Sequence, residues 1–148
     1  LVIRRTMTPV PIAPAERDYE QAYITWSLHF TDPTWRWNGP ALPTTKAPIR
    51  SLLVSRDGRL WVQVAVASDT IPVAEREVSS DSTQPIAAHR MPVVYEVYAP
   101  EGRLLGRVAF PGPGPVTLME ADGNTVWGLA VDADDLPAVM RWRVEPAF

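Results

Sequence analysis

The run IRSLLVSRDGRLWVQV at residues 49–64 carries the strongest fold signal in this chain of 148 residues. An apolar strand leads into Asp57-Gly58, a dipeptide that favours a tight hairpin turn. A second apolar strand follows, with Trp61 near its start and an alternating pattern along its length. The run therefore predicts an antiparallel strand–turn–strand unit.

The same order of features returns in the run TLMEADGNTVWGLAV at residues 117–131. Here the turn is Asp122-Gly123, and Trp127 takes the place of Trp61 after it. Because Asp-Gly is favoured in hairpins for backbone reasons alone, both aspartates are predicted to be structural. Both tryptophans are predicted to pack between neighbouring sheets, where aromatic rings bury a large area. The two runs thus predict a repeat of one supersecondary unit.

The strands around these runs complete the prediction. After a polar, irregular insertion at 68–90, strands at 91–98 and 103–110 flank a Pro-Glu-Gly hairpin signal and bring the first unit to four strands. The second unit adds a last strand at 138–145 and stops at three, which exposes an edge. The predicted fold is all-β, a partial propeller of about two antiparallel blades at 49–110 and 115–146.

Residues 1–48 are predicted to precede the blades as a short strand at 1–6, a Pro-rich connector and one amphipathic helix. Pro14 suits the first helical turn and Asp32-Pro33 ends the helix. One helical face carries the apolar residues Ala15, Tyr19, Ala22, Tyr23, Trp26 and Phe30.

A Trp- and Pro-rich loop at 31–48 follows the helix and holds the candidate partner contacts Trp35, Arg36 and Trp37. Tryptophan and arginine are enriched in binding hot spots, and no periodicity predicts burial for these two rings. The alternative is that the loop folds back and covers the helix.

Catalytic, metal-binding and cofactor-binding residues are not recognisable, so none is assigned. The chain has no cysteine, and His29 and His89 lack metal-ligand spacing. The acidic run Asp132-Ala133-Asp134-Asp135 has oxygen ligands suited to calcium, but it lacks a following glycine turn and a distal glutamate, so a solvated turn is the better interpretation. A net charge of -3 argues against nucleic-acid binding, and no stretch is long and apolar enough for a membrane helix.

The segments IRSLLVSRDGRLWVQV, YEVYAPEGRLLGRVAFP and TVWGLAVDADDLPAVMRWRVEP resemble the C-terminal part of bacterial six-bladed propellers of the NHL/TolB-like type. The resemblance implies a periplasmic or extracellular location. It also implies that the chain is part of a longer protein, because 148 residues cannot make six blades.

The function predicted from these observations is a non-catalytic protein-binding or scaffold module, as in a peripheral subunit of a larger assembly. Its partner would be another protein or the remaining blades of the same protein. The alternative is a fragment of a propeller hydrolase or lactonase whose active-site residues lie in upstream blades.

Overall fold

A computed structural model describes residues 2–112, 116–131 and 136–145. Most of the regular structure is β, with one α-helix, as predicted. The elements are α1 (Pro14–His29), β1 (Ile49–Val54), β2 (Leu60–Val64), β3 (Asp69–Thr70), a 3-10 turn (Val73–Glu75), β4 (His89–Arg90), β5 (Val94–Tyr98), β6 (Leu104–Ala109), β7 (Thr117–Asp122), β8 (Thr125–Val131) and β9 (Pro137–Arg143).

The chain divides into two compact units that interleave in the sequence. Unit 1 comprises residues 1–8, 47–66 and 92–148, and unit 2 comprises residues 9–46 and 67–91. Unit 2 therefore joins part of the predicted N-terminal segment to the insertion predicted at 68–90. None of the helices in the described ranges has the length and apolar character needed to cross a membrane.

Unit 1 is built on a four-stranded antiparallel sheet in the order β1-β2-β5-β6. Side chains alternate between its two faces because successive residues of a strand point to opposite sides. Trp61, Tyr95 and Val97 lie on one face and are fully or almost fully buried. Val62, Val64 and Tyr98 lie on the other face and form a second apolar cluster.

The second sheet of unit 1 has three antiparallel strands in the order β7-β8-β9. It packs Leu118, Ala121 and Val126 into the same core as Trp61. Gly128 allows β7 and β8 to approach, since a Cβ atom there would stand 2.6 Å from the Thr117 carbonyl oxygen. The core of unit 1 is therefore the layer between the two sheets.

Residues 2–8 cover part of the opposite face of the four-stranded sheet. Ile3 and Met7 pack against the cluster of Val62, Val64 and Tyr98. The short strand predicted at residues 1–6 is not formed over residues 2–6, which have no regular structure. Side-chain contacts, rather than a ladder of backbone hydrogen bonds, hold this segment in place.

Unit 2 contains α1, and the prediction of this helix is confirmed. Pro14 opens it, and a Glu16 carboxylate oxygen accepts the Ala13 backbone N–H at 2.9 Å in place of a missing intrahelical partner. The predicted apolar face forms a row of aromatic contacts from Tyr19 through Tyr23 and Trp26 to Phe30. The insertion adds only β3, β4 and the 3-10 turn, so most of it is irregular, as predicted.

Candidate protein-interaction site

The free edge of β9 is the main candidate site in unit 1. The four-stranded sheet continues past β5 to β6, whereas the three-stranded sheet ends at β9. Seven residues of β9 pair with β8, and within the described ranges no strand pairs with its other edge. An unpaired edge presents a row of backbone N–H and C=O groups that another strand can use.

A groove of 520 Å³ lies beside this edge. Residues 105–111, in and after β6, line one side of it, and residues 142–145, at the end of β9, line the other. Phe110 and Trp142 meet edge to face within this lining, with their ring centroids 5.0 Å apart. The groove thus meets the end of the open strand edge, and its lining combines the Phe110 and Trp142 rings with the charged residues Arg107, Arg143 and Glu145.

The backbone groups that reach the open edge follow from the pairing of β9. Val144 N–H donates to the Asn124 carbonyl oxygen at 2.8 Å, on the β8 side. Because alternate residues of a strand point their backbone groups to opposite sides, those of Met140 and Trp142 also face β8. Val139, Arg141 and Arg143 therefore direct their N–H and C=O groups to the open edge.

The two predicted turns are joined by Asp57. One Asp57 carboxylate oxygen accepts the Ser55 hydroxyl at 2.5 Å, and the other accepts the Gly123 backbone N–H at 3.1 Å. Arg59 makes a second hydrogen bond between the turns by donating to the Gly123 carbonyl oxygen at 3.1 Å. Burial alone would raise the pKa of Asp57, but the hydrogen bonds and the charge of Arg59 hold that pKa below its ordinary value. Asp57 is therefore structural, and it ties the two sheets together.

Replacing Asp57 with alanine is expected to lower the free energy of unfolding by about 1–2 kcal/mol, because hydrogen bonds to a charged acceptor are lost. The matched control is Asp122→Ala, since Asp122 holds the corresponding place in the other turn and, among the described residues, its carboxylate makes no hydrogen bond to the other sheet. That change should alter the free energy of unfolding by less than about 0.5 kcal/mol. Urea titrations of both variants measure the difference, and equal losses would contradict the assignment.

The two tryptophans of the predicted repeat have different surroundings. Trp61 is fully buried between the sheets of unit 1. Trp127 follows the buried Val126 in β8, so it points to the outward face of the three-stranded sheet, where it is half-buried. Leu129 and Val139 are exposed on that same face. Of these two indole rings, only that of Trp61 lies between two sheets of the described residues.

Trp35, Arg36 and Trp37 lie in the loop after α1 and contact one another. The two indole rings meet edge to face with centroids 6.2 Å apart, and both are half-buried. The exposed Arg36 donates to the Trp35 carbonyl oxygen at 2.7 Å, and His29 Nε2 lies 3.0 Å from the same oxygen. The loop therefore returns to the end of α1 at this point, and contact with a partner stays a prediction.

A buried carboxylate at Glu96 was missed by the sequence reasoning. Only 1% of Glu96 is exposed. One of its oxygens accepts hydrogen bonds from Nε and Nη2 of Arg107, at 3.0 and 2.8 Å. The other accepts the Tyr98 hydroxyl and lies 2.7 Å from Arg5 Nη1. A charged residue within the apolar strand VVYEVY was the available signal, because such residues are buried only when paired.

This arrangement leaves Glu96 no role as a general base. A carboxylate has about four acceptor positions, and these four contacts occupy them. Burial alone would raise the pKa of Glu96, but the hydrogen bonds and the charges of Arg5 and Arg107 hold it below its ordinary value. The carboxylate therefore holds residues 2–8 against the sheet through its ion pair with Arg5.

The described parts of the chain lack a cluster of metal-ligating side chains. No group of three or more His, Cys, Asp or Glu residues able to hold a metal ion occurs there. The acidic run Asp132-Ala133-Asp134-Asp135 lies outside the described residues.

No protein-family model, curated protein or solved structure matches the chain. The resemblance to six-bladed propellers therefore rests on the quoted sequence segments and stays a prediction.

Proposed function

We propose that the protein is a non-catalytic binding module that takes up an extended β-strand of a partner polypeptide along the open edge of β9. The single observation that carries the proposal is the coincidence of that edge with the 520 Å³ groove beside it. Strand addition supplies affinity through backbone hydrogen bonds, and pockets for alternate side chains supply specificity.

The four-stranded sheet indicates what the occupant would be. In that sheet β6 pairs with the edge of the third strand, β5. The corresponding edge of the third strand of the other sheet, β9, is unpaired among the described residues. An incoming strand with the character of β6, with apolar side chains at alternate positions, would pair with β9 and pack on Phe110 and Trp142. Its backbone would meet the groups of Val139, Arg141 and Arg143.

The proposal includes the finer interpretation that the two sheets are neighbouring blades of a β-propeller. Face-to-face stacking of a four-stranded and a three-stranded antiparallel sheet supports this interpretation. The exposed Leu129 and Val139 beside Trp127 support it too, because a further sheet stacked there would enclose Trp127 as the second sheet encloses Trp61. The module would then work as a scaffold or peripheral subunit within a larger assembly.

The test uses a fluorescein-labelled peptide with the β6 sequence RLLGRVAF, residues 103–110. Its fluorescence anisotropy should rise and saturate on titration with the intact chain, and a scrambled peptide of equal composition should not bind. N-methylation at the peptide position of Val108 should weaken binding about tenfold, because the N–H that pairs with the neighbouring strand is lost. N-methylation at the position of Arg107 is the control, since that N–H points away from the pairing edge.

A protein variant tests the same edge from the other side. Arg141→Pro removes a backbone donor on the open edge while leaving the donors that face β8, and proline is tolerated on edge strands. It should reduce peptide binding about tenfold, and Arg141→Ala should leave binding within about twofold. Equal affinity for the native and scrambled peptides, or no binding of either, would refute strand addition.

A further inference from the structure

Unit 2 contains a second groove, which is unrelated to the strand edge. Its volume is 740 Å³, within the range of about 300–1,000 Å³ typical of ligand sites. The last three turns of α1 form one side, and residues 81–85 of the insertion form the other. Both sides belong to unit 2, so the groove is complete within one compact unit.

The groove is acidic. Asp18 and Asp81 line it, and no lysine or arginine does. Arg36 stands nearby, with Nη1 3.4 Å from His29 Nε2, but it donates to the Trp35 carbonyl oxygen and is not part of the lining. Within the described chain no basic side chain pairs with either aspartate, so both carboxylates remain available to a cation.

Asp81 is held in position by its neighbours. One of its oxygens accepts the backbone N–H and the hydroxyl of Thr83, at 2.8 and 2.6 Å. The other accepts Trp26 Nε1 at 3.0 Å and keeps one acceptor position. These hydrogen bonds from Thr83 and Trp26 hold the pKa of Asp81 below its ordinary value, so the carboxylate is charged at neutral pH.

Two aromatic rings, Trp26 and Phe30, form an apolar wall on the α1 side of the groove. Trp26 and Phe30 meet edge to face with centroids 5.0 Å apart, and Phe30 is 72% exposed. Aromatic faces attract cations, and an arginine guanidinium can stack on a ring while donating to a carboxylate. The hydroxyl of Thr25 and the amide of Gln21 add neutral hydrogen-bonding groups along the helix.

We propose that this groove binds an arginine side chain of a peptide or protein partner, with the guanidinium against the Trp26 and Phe30 rings and the Asp81 carboxylate, while Asp18 adds negative charge farther along the helix. The charge of the lining selects a cation, and the aromatic wall favours guanidinium over a small, strongly hydrated ion. The volume exceeds that of one side chain, so it also accepts the peptide segment that carries the arginine. The proposal does not depend on strand addition at β9.

The experiment titrates the full chain with acetyl-Gly-Arg-Gly-amide and follows the indole N–H resonance of Trp26 by NMR. The Trp26→Phe variant assigns that resonance. Titration to about 10 mM peptide covers the millimolar affinity expected of one side chain. The arginine peptide should shift the resonance and saturate, and acetyl-Gly-Glu-Gly-amide should not.

Matched variants locate the site. Asp18→Asn should weaken binding less than about threefold, because it removes only a more distant negative charge of the groove, and Asp81→Asn about tenfold, because Asp81 meets the guanidinium directly. Glu20→Gln is the control, because Glu20 is an exposed acid of the same helix outside the groove. A shift of equal size with acetyl-Gly-Leu-Gly-amide would overturn the proposal, because it would show that charge is not recognised. A shift of the Trp26 resonance with the neutral carbohydrate maltotetraose, and none with the arginine peptide, would overturn it too. An equal loss in Glu20→Gln would also overturn it.

Discussion

Replacing Trp61 with alanine is expected to lower the free energy of unfolding of unit 1 by about 3–5 kcal/mol, the range for removing a large aromatic side chain from a core. Trp61 is fully buried, and its ring meets Tyr95 with centroids 6.3 Å apart. The cavity left behind lies between the two sheets, where it weakens the packing of both. Urea denaturation followed by far-UV circular dichroism measures the loss.

Trp127→Ala is the matched control for this experiment. Trp127 takes the place of Trp61 in the second strand–turn–strand run but is half-buried on the outward face of its sheet. The substitution should lower the free energy of unfolding by about 1 kcal/mol, since less apolar surface is removed from a buried environment. Equal losses for the two tryptophans would mean that Trp127 is as well enclosed as Trp61, which contradicts the described packing.

Replacing Glu96 with glutamine is expected to lower the free energy of unfolding at neutral pH by about 2 kcal/mol, because the charged acceptor of two arginines and a tyrosine is lost. Glutamine keeps the shape of glutamate but removes its charge and turns one acceptor oxygen into an NH2 donor that faces the donors around Glu96. Glu101→Gln is the control, since Glu101 is exposed and its ion pair with Arg103 lies at the surface. That control should change the free energy of unfolding by less than about 0.5 kcal/mol.

The effect of Glu96→Gln should also depend on pH. The pKa of Glu96 in the folded protein lies below its ordinary value of 4.5. Its charge therefore contributes stability above that ordinary value, and the contribution is lost as the pH falls through the folded pKa. The difference in the free energy of unfolding between the native chain and Glu96→Gln should become smaller in urea titrations from neutral pH down to about pH 3. A difference that stays the same at every pH would contradict a stabilising role for the Glu96 charge.

Much of the local structure could be predicted from the sequence. Helix α1 has apolar residues at helical spacing and Pro14 at its start, and the chain forms it where predicted. The Asp57-Gly58 and Asp122-Gly123 turns were likewise predictable, because both glycines adopt positive φ angles that other residues avoid. The strand predicted at residues 1–6 did not form over residues 2–6, because no described strand pairs with their backbone, and of these residues only Ile3 packs on the apolar cluster of the sheet.

The candidate sites were far less predictable. The open edge of the last sheet follows from counting strands, and the sequence showed it. The groove beside that edge depends on how β6 and β9 come together, which no local pattern contains. The same holds for the groove in unit 2, where Trp26 and Asp81 meet across 55 residues of sequence.

The sequence by itself determined where the helix, the two Asp-Gly turns and most of the strands lie, and it predicted the three strands that the last sheet has in the described part of the chain. These features depend on residue periodicity and on backbone preferences within a few residues. Tertiary structure alone decided that Asp57 of one turn accepts the N–H of Gly123 in the other, and that Trp61 is enclosed while Trp127 is not. Alternation along a strand shows that one face is to be buried, but the surface that buries it comes from residues far away in the chain.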